Sequence, residues 1–344
     1  MQLGILGLAG AGRATLFSAL AASPYEPEKR SEAKMGMVNV PDERVDFLSG
    51  LYKPKKTTYA RVQYLLPGVP VNLEPAKQTE AVLNAIKPCD ALIHVLRNFP
   101  DPGGEAPAPA TDFSRMESEL IFADLFAVER KLERAALDAK RGKKPDEEEM
   151  ALLERCKALL SADTPLRRDP ELAAAKKLRG YTFVSAKPEM VVANNDEGDP
   201  DLPDLSALPE QDPRLAVRGK LEAEIAQMSL EEAADFLAEY QVTDTARDRV
   251  LRKSYELLGL ISFFTVGEDE VRAWTIRRGD SALAAAEAIH TDLARGFIRA
   301  EVLAYDDLVA AGSFNEAKKR GQVRLEGKTY EVKDGDIVHI RFNV

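Results

Sequence analysis

The chain has 344 residues, of which 30% are charged and 45% hydrophobic, and its formal net charge at pH 7 is −10. This length predicts two or three domains, and the composition excludes a disordered chain. The negative charge argues against a protein that coats nucleic acid nonspecifically, although local basic patches stay compatible with such contact.

The location of the protein follows from what the sequence lacks. No run approaches the roughly 20 apolar residues of a membrane span. The N-terminus has no basic flank and no cleavage site of a signal peptide. Cys89 and Cys156 are the only cysteines, so neither a disulfide framework nor a metal-ligand cluster is expected. We therefore expect a cytoplasmic protein without membrane contact.

The first hundred residues alternate between strand and helix patterns. The expected strands are QLGILGL, MGMVNV, ARVQYLL and ALIHVL, and the expected helices are ATLFSALAA and TEAVLNAIKPC. This alternation predicts a mostly parallel sheet with helices on its faces. The segment that follows, 98–111, is too rich in proline and glycine for regular structure.

From about Asp112 the apolar spacing becomes that of a coiled-coil helix. Steps of four and three residues join Ile121, Leu125, Val128, Leu132, Ala135 and Ala139. A second helix returns with Leu153, Cys156 and Leu160 on its apolar stripe. The pattern predicts a helical hairpin.

The hairpin tip is basic. It carries Lys140, Arg141, Lys143 and Lys144, and an acidic run follows at 146–149, where it suits the dipole of the returning helix. The tip is either a solvated turn or a surface that faces RNA.

Beyond the hairpin, strand patterns resume. The expected strands are YTFVS, EMVVANN and RLAVRG, and the expected helices are KLEAEIAQM, EEAADFLAEY and DRVLRKSYELLGL. From Ile261 onward short strands surround the helix ALAAAEAIH, and the turn KDGD precedes the last strand. This last part predicts a separate small α+β domain.

The stretch GLAGAGRAT, residues 7–15, has the glycine spacing of the phosphate-binding loop G-x-x-x-x-G-K-[ST]. Gly7 and Gly12 occupy the two glycine positions, with a strand before them and a helix after them. Backbone N–H groups at a helix N-terminus bind an anion whatever the side chains are. We therefore expect any bound phosphate to lie over Gly10, Ala11, Gly12 and Arg13.

Two residues of this loop depart from the pattern. Arg13 replaces the lysine that reaches the phosphates, and its larger planar fork is not a conservative replacement. Ala14 replaces the hydroxyl that ligates Mg²⁺, and Thr15 takes its place only if the helix register slips. Three interpretations stay open: a turn kept for packing, nucleotide binding without efficient turnover, and competent hydrolysis.

The C-terminal stretches EVRAWT, AIHTDLARGFIRAEV and RLEGKTYEVKDGDIVHIRFNV resemble the TGS domain that ends the YchF proteins, in the Obg group of P-loop NTPases. VNVPDERVDFLSGLYKP resembles the family's segment after switch I, ESELIFADLFAVERKLER its first hairpin helix, and KPEMVVANNDEG its base-recognition strand and loop.

The resemblance implies an α/β fold with three parts. These are a P-loop NTPase-like domain in 1–112 and 179–260, a helical hairpin (coiled-coil) insertion in 113–178, and a C-terminal α+β TGS domain of β-grasp type in 261–344. It also implies ATP or GTP as ligand and a role at the ribosome or on RNA.

The family's nucleotide-reading motif matches better than its metal ligands. Asn194 and Glu197 fit the family's Asn-x-x-Glu, with Asn194 bonding a purine edge and Glu197 accepting from an exocyclic amine. The same composition is also typical of an ordinary turn. Leu65 stands where the family's D-x-x-G aspartate would orient Mg²⁺. The family's hydrolytic histidine has no counterpart between His94 and His290, and His94 itself is expected in the core.

These patterns predict a YchF-like nucleotide-binding protein, associated with the ribosome or RNA, whose hydrolysis is weak or absent. No catalytic residue and no metal ligand is assigned, and Mg²⁺ is expected to add little. The alternative is an active ATPase or GTPase that regulates translation or a stress response, with Arg13 on the γ-phosphate and Thr15 on the metal. A metabolic enzyme has little support, since no paired-carboxylate, Ser-His-Asp or Cys-His arrangement can be identified. The candidates for RNA contact are Lys140, Arg141, Lys143, Lys144, Lys318, Lys319 and Arg320.

Overall fold

The computed structural model describes residues 1–24, 29–69, 73–239 and 244–343. Its contacts divide the chain into two compact units. The first unit comprises 1–38 and 63–257, and the second comprises 39–62 and 258–344. Each unit contains a six-stranded sheet, which confirms the predicted α/β architecture with a separate sheet in the C-terminal region. Tyr240, at the end of one expected helix, and the terminal Val344 lie outside the described residues.

The strands are β1 Gln2–Leu6, β2 Lys34–Asn39, β3 Lys56–Thr58, β4 Arg61–Leu66, β5 Ala91–Asn98, β6 Glu189–Asn195, β7 Arg214–Val217, β8 Leu260–Thr265, β9 Glu270–Arg277, β10 Phe297–Ala304, β11 Arg324–Glu326 and β12 Asp336–Phe342. The helices are α1 Arg13–Ala21, α2 Glu43–Tyr52, α3 Pro75–Ile86, α4 Pro109–Lys140, α5 Glu147–Ser161, α6 Pro170–Ala174, α7 Gly219–Ile225, α8 Leu230–Glu239, α9 Ala246–Leu257, α10 Ala282–Ile289, α11 Thr291–Arg295, α12 Tyr305–Ala311 and α13 Phe314–Lys319. No helix of these described segments is long and apolar enough to cross a membrane.

The sheet of the first unit has the order β2-β4-β1-β5-β6-β7. The pairs β1–β4, β1–β5, β5–β6 and β6–β7 are all parallel. Its central strands are buried along almost their whole length, as expected for parallel strands covered by helices on both faces. After β1 the chain adds β4 on one side of this strand and β5 on the other. Such a change of side leaves a crevice at the carboxyl end of the central strand, where ligands bind in folds of this type.

The helical hairpin forms as predicted from its apolar period. α4 begins at Pro109, slightly before the expected start, because proline is well accommodated in the first turn of a helix. Asp146 caps α5 by accepting hydrogen bonds from the N–H groups of Glu148 and Glu149. Ile121, Val128 and the three stripe residues of α5 share one buried apolar cluster.

The expected strand YTFVS is wrong. Residues 176–181 form a 3-10 helix, and 182–188 have no strand structure. The reason is a competing acceptor on α4: the carboxylate of Asp124 accepts the backbone N–H groups of Val184 at 3.1 Å and Ser185 at 2.7 Å. These backbone donors are therefore satisfied without a neighbouring strand.

The sheet of the second unit has the order β11-β10-β12-β8-β9-β3. One face covers an apolar cluster in which α10 packs through Ala282, Ala285 and Ala286. Of the expected closing pair KTYEVKDGDIVHIRFNV, only the second half is a strand, and Glu331 in the first half makes an isolated bridge to Ser281.

Residues 39–62 belong to this second unit, although they precede most of the first unit in sequence. β3 pairs in parallel with β9, placing Lys56 opposite Glu270. On α2, Arg44 forms an ion pair with Asp334 at 2.9 Å, and Phe47 packs edge-on against Tyr305. The predicted domain limits stay a prediction. In the structure, residues 39–62 group with residues 258–344, far away in the sequence.

Candidate phosphate-binding site

A cavity of about 410 Å³ lies where β1, β4 and β5 end. Gly10, Gly12, Arg13, Ala14 and Thr15 line it from the loop after β1 and the start of α1. Leu66 and Pro67, at the end of β4, and Phe99, after β5, complete this part of the wall. The structure therefore brings the predicted phosphate loop to the carboxyl edge of the sheet.

Two glycines of the loop are required by their surroundings. Gly7 has φ 147°, and a Cβ there would lie 2.4 Å from the carbonyl oxygen of Val95 on β5. Gly12 has φ 87°, and a Cβ there would lie 2.0 Å from Nδ2 of Asn194. Both positions combine a left-handed backbone with a close neighbour, so only glycine fits without rearrangement.

The N-terminus of α1 has no side-chain cap, because Gly12 is its N-cap residue. The N–H groups of the first turn of a helix have no partner within the helix. They also carry the positive end of the helix dipole, which favours an anion. Arg13, Ala14 and Thr15 of this turn line the cavity.

Arg13 is a half-buried cation at this edge. Burial lowers the pKa of its guanidinium, although an arginine side chain stays charged in proteins. Within the described part of the chain, Arg13 forms neither an ion pair nor a side-chain hydrogen bond. Lys29, Arg30 and Lys34 line the same cavity, as does one acidic residue, Glu32. The described wall thus has a clear excess of positive charge.

The expected positions for magnesium ligands offer no oxygen. Ala14 lines the cavity with a methyl group, and Leu65 is buried in β4 within an apolar cluster. Thr15 and Glu32 do present oxygen atoms in residues that line the cavity. Among the described residues, no three His, Cys, Asp or Glu side chains are grouped so that they could hold a metal ion.

Asn194 lies beside the phosphate loop and connects it to α7. Its Nδ2 donates to the carbonyl of Ala11 at 3.1 Å, and its Oδ1 accepts from the N–H of Gly219 at 3.0 Å. The side chain is buried. The nitrogen and the oxygen of its amide group both form hydrogen bonds with backbone atoms. Glu197 is exposed and pairs with Lys220 at 2.5 Å. The contacts of Asn194 and Glu197 with a purine stay predictions.

An adjoining cavity of about 450 Å³ extends the site toward the start of α4. It shares Ala9, Arg13 and Gln78 with the first cavity, and Arg97 and Arg115 also line it. Sequence reasoning missed both this extension and the basic wall of the first cavity. The charged run KRSEAK was the signal for the latter.

The candidate RNA-contact cations fall into two differently paired clusters. In the second unit, Lys318 pairs with Glu301 at 3.3 Å, and both Lys319 and Arg320 pair with Glu316. At the hairpin tip, Lys143 pairs with Asp138 at 3.2 Å. The other tip cations, Lys140, Arg141 and Lys144, form no ion pair within the described segments.

His94 is a core residue, as expected. Its Nδ1 lies 2.8 Å from Oε1 of Glu189, and its ring stacks on Phe113. Burial opposes ionisation of Glu189, but Arg167 and His94 outweigh it and hold the pKa of this carboxyl low. His94 therefore belongs to a buried polar cluster beneath α4.

Comparison with known proteins places this geometry in a family. Residues 260–343 match the family model described as "YchF-GTPase_C: Protein of unknown function". The protein named ribosome-binding ATPase YchF of Bacillus subtilis is 36% identical and is covered over 100% of both chains. The protein of the same name from Haemophilus ducreyi is 37% identical, with 100% of this chain and 99% of the relative covered.

Solved structures agree with the sequence relatives. The YchF GTPase of Schizosaccharomyces pombe superimposes with a TM-score of 0.84 at 27% identity, over 99% of this chain and 97% of that chain. A GTP binding protein from Pyrococcus horikoshii, at 17% identity and a TM-score of 0.61 over the full length of both chains, shares the fold. The full-length matches above 30% identity, with the P-loop arrangement described here, show that the chain belongs to the YchF family, in the Obg group of P-loop NTPases.

Proposed function

We propose that this protein binds a purine nucleotide, ATP or GTP, at residues 7–15 and associates with the ribosome, with weak or absent hydrolysis. The observation that carries the nucleotide proposal is Arg13: a half-buried cation without an acidic partner in the described chain, beside the uncapped N-terminus of α1. A phosphate would satisfy both groups. The relatives' names support the ribosome as partner.

Weak hydrolysis follows from the chemistry of two side chains. In phosphoryl transfer the metal ion offsets the charge that develops on the phosphate oxygens. Ala14 and Leu65 cannot ligate that ion or the water around it. Binding then rests on Arg13 and backbone N–H groups, which need no metal.

Titration with fluorescent ATP and GTP analogues, with and without Mg²⁺, tests this proposal. Arg13→Ala should weaken binding by about tenfold or more, because a charge-assisted hydrogen bond is lost. Mg²⁺ should change the affinity of the unmodified protein little. Ala14→Ser with Leu65→Asp should make binding depend on Mg²⁺, whereas Ala14→Ser with Leu65→Asn provides a control with a polar but uncharged residue in β4. Binding many times tighter with Mg²⁺ in the unmodified protein would contradict the proposal.

The second candidate is an active ATPase or GTPase with rearranged ligands. Thr15 and Glu32 favour this candidate, because both residues line the same cavity and their side chains have oxygen atoms that a metal ion could use as ligands. Steady release of inorganic phosphate that Arg13→Ala and Thr15→Val both abolish would decide for this candidate. Thr15→Ser, which keeps the hydroxyl, should then retain turnover.

A further inference from the structure

A second concave surface lies in the first unit, between α3 and the middle of α4. This groove has a volume of about 840 Å³. Leu83, Ala123 and Ala127 contribute aliphatic surface to it. Phe122 and Phe126 also line it and are 67% and 58% exposed. An exposed apolar patch that is rimmed by polar residues is typical of an interaction site.

The residues of α4 that line the groove form a stripe. Phe122, Phe126, Arg130 and Arg134 follow each other at intervals of four, so they lie on one helix face over about 18 Å. The stripe changes from aromatic to cationic along its length. A matching ligand therefore needs an apolar part and an acidic part along one axis.

The groove is basic in a chain whose net charge is −10. Its cations are Lys77, Lys87, Arg130, Lys131 and Arg134, against the two acids Glu80 and Glu119. Lys131 pairs with Glu149, and Lys87 donates to Asn84. Lys77, Arg130 and Arg134 have no ion-pair partner in the described part of the chain. Carboxylates of a partner would supply those missing counter-charges.

We propose that this groove receives an acidic amphipathic helix of a partner protein. Apolar side chains one turn apart on that helix pack against Phe122 and Phe126, and its carboxylates pair with Arg130 and Arg134. Helix-in-groove recognition uses such anchors at intervals of three and four residues. The aliphatic floor suits apolar side chains. The inference is independent of nucleotide binding.

Fluorescence anisotropy on the full chain tests the proposal with a panel of labelled helical peptides of about 16 residues, long enough to span the stripe. Each peptide carries Leu pairs at intervals of three or four residues, Glu beside them on the same helix face, and Ala at the other positions. At least one should bind, and Phe122→Ser with Phe126→Ser should weaken it more than tenfold. Leu137→Ser is the matched control, since Leu137 is 55% exposed on the same helix but does not line the groove.

Charge reversal provides the second readout. Arg130→Glu with Arg134→Glu should lower the affinity for the acidic peptide. The same double variant should raise the affinity for the peptide that has Lys in place of Glu. Arg141→Glu, which lies beyond the groove, should change neither affinity. Three results would overturn the proposal: no binding by any peptide of the panel, tighter binding of single-stranded RNA that the two Phe substitutions abolish, or a dimer in sedimentation velocity that the same substitutions dissociate.

Discussion

Asp124 fixes a stretch of irregular chain by itself. Its carboxylate is 3% exposed and accepts the backbone N–H groups of Val184 and Ser185. Burial raises the pKa of this carboxyl to about 6, because removal from water costs the charged form more than the two hydrogen bonds return. One side chain thus replaces a strand neighbour and titrates in an unusual range.

Asp124→Asn should change how stability depends on pH. The folded carboxyl titrates near pH 6 and the unfolded one near 3.8, so the folded state binds more protons between these values. The free energy of unfolding therefore falls as pH rises through this window, by up to about 3 kcal/mol, and the loss is complete above it. The free energy of unfolding of Asp124→Asn should not fall in this way. Urea unfolding of both proteins from pH 4.5 to 7 measures the difference. Asp138→Asn, on the same helix, is the control. Parallel curves for the unmodified protein and Asp124→Asn would refute the expectation.

Gly12→Ala should damage the phosphate loop more than Gly10→Ala. Both glycines have positive φ, but a Cβ at Gly12 would strike the Asn194 amide whereas a Cβ at Gly10 meets nothing within 4 Å. We expect about 1–3 kcal/mol lower stability for Gly12→Ala. Thermal unfolding and nucleotide titration measure both effects.

A double-mutant cycle isolates the contact. In an Asn194→Ala background the additional cost of Gly12→Ala should shrink, because the collision is gone while the backbone strain remains. Equal costs for Gly10→Ala and Gly12→Ala in the unmodified background would show that the Asn194 contact is unimportant.

At the scale of the element, the hairpin presents the less neutralised of the two basic clusters. The acidic run that follows its tip is directed elsewhere: Asp146 and Glu148 pair with Lys177, and Glu149 pairs with Lys131. Cations without local carboxylates are the ones that a phosphate backbone can pair with at least cost.

Replacing Lys140, Arg141, Lys143 and Lys144 by alanine should therefore reduce co-sedimentation with ribosomal subunits at low salt. Replacing Lys318, Lys319 and Arg320 by alanine should have a smaller effect, since local carboxylates already neutralise them. Binding of the unmodified protein should fade above physiological salt, and the tip variant should show a shallower salt dependence. Full retention by the tip variant would remove the hairpin from the binding surface.

Elements with a local signal could be predicted from the sequence. The hairpin follows from residues three and four apart, and the phosphate loop follows from a glycine spacing within nine residues. Residues 181–185 have a strand-like composition, but their backbone partner, Asp124, is about 60 positions away. No local pattern contains that contact. The run KRSEAK that forms the basic wall of the phosphate cavity is local, but its place in the site was missed, because Lys29, Arg30 and Lys34 line one cavity with Arg13 only in the folded chain.

At the scale of the whole molecule, the second unit is assembled from two separate parts of the sequence. β3 is an edge strand on β9, and α2 adds the Arg44–Asp334 ion pair and a cation–π contact between Arg44 and Phe264. Without residues 39–62, the whole length of β9 on that side would be an open edge, and exposed edges invite aggregation.

A fragment of residues 258–344 should consequently unfold at a lower temperature, and aggregate more readily, than the same fragment joined through a flexible linker to residues 39–62. The physical reason is the loss of one strand pairing and of the Arg44 contacts. Calorimetry and light scattering measure the two quantities. Arg44→Ala in the linked fragment should lower its melting temperature partway toward that of the shorter fragment. Identical melting temperatures for both fragments would count against a structural role for 39–62.

The pairing of β3 with β9 also sets an order of events during synthesis. Lys56 and its neighbour Glu270 are separated by more than 200 positions, so the segment that carries Lys56 leaves the ribosome long before its partner strand exists. At about 5–20 residues per second, this delay is on the order of 10–40 s. During that interval residues 39–62 have no sheet to join, while the strands on both sides of them can already pair. Residues 39–62 are therefore the first part of the second unit to be synthesised, but they are among the last parts of it to fold.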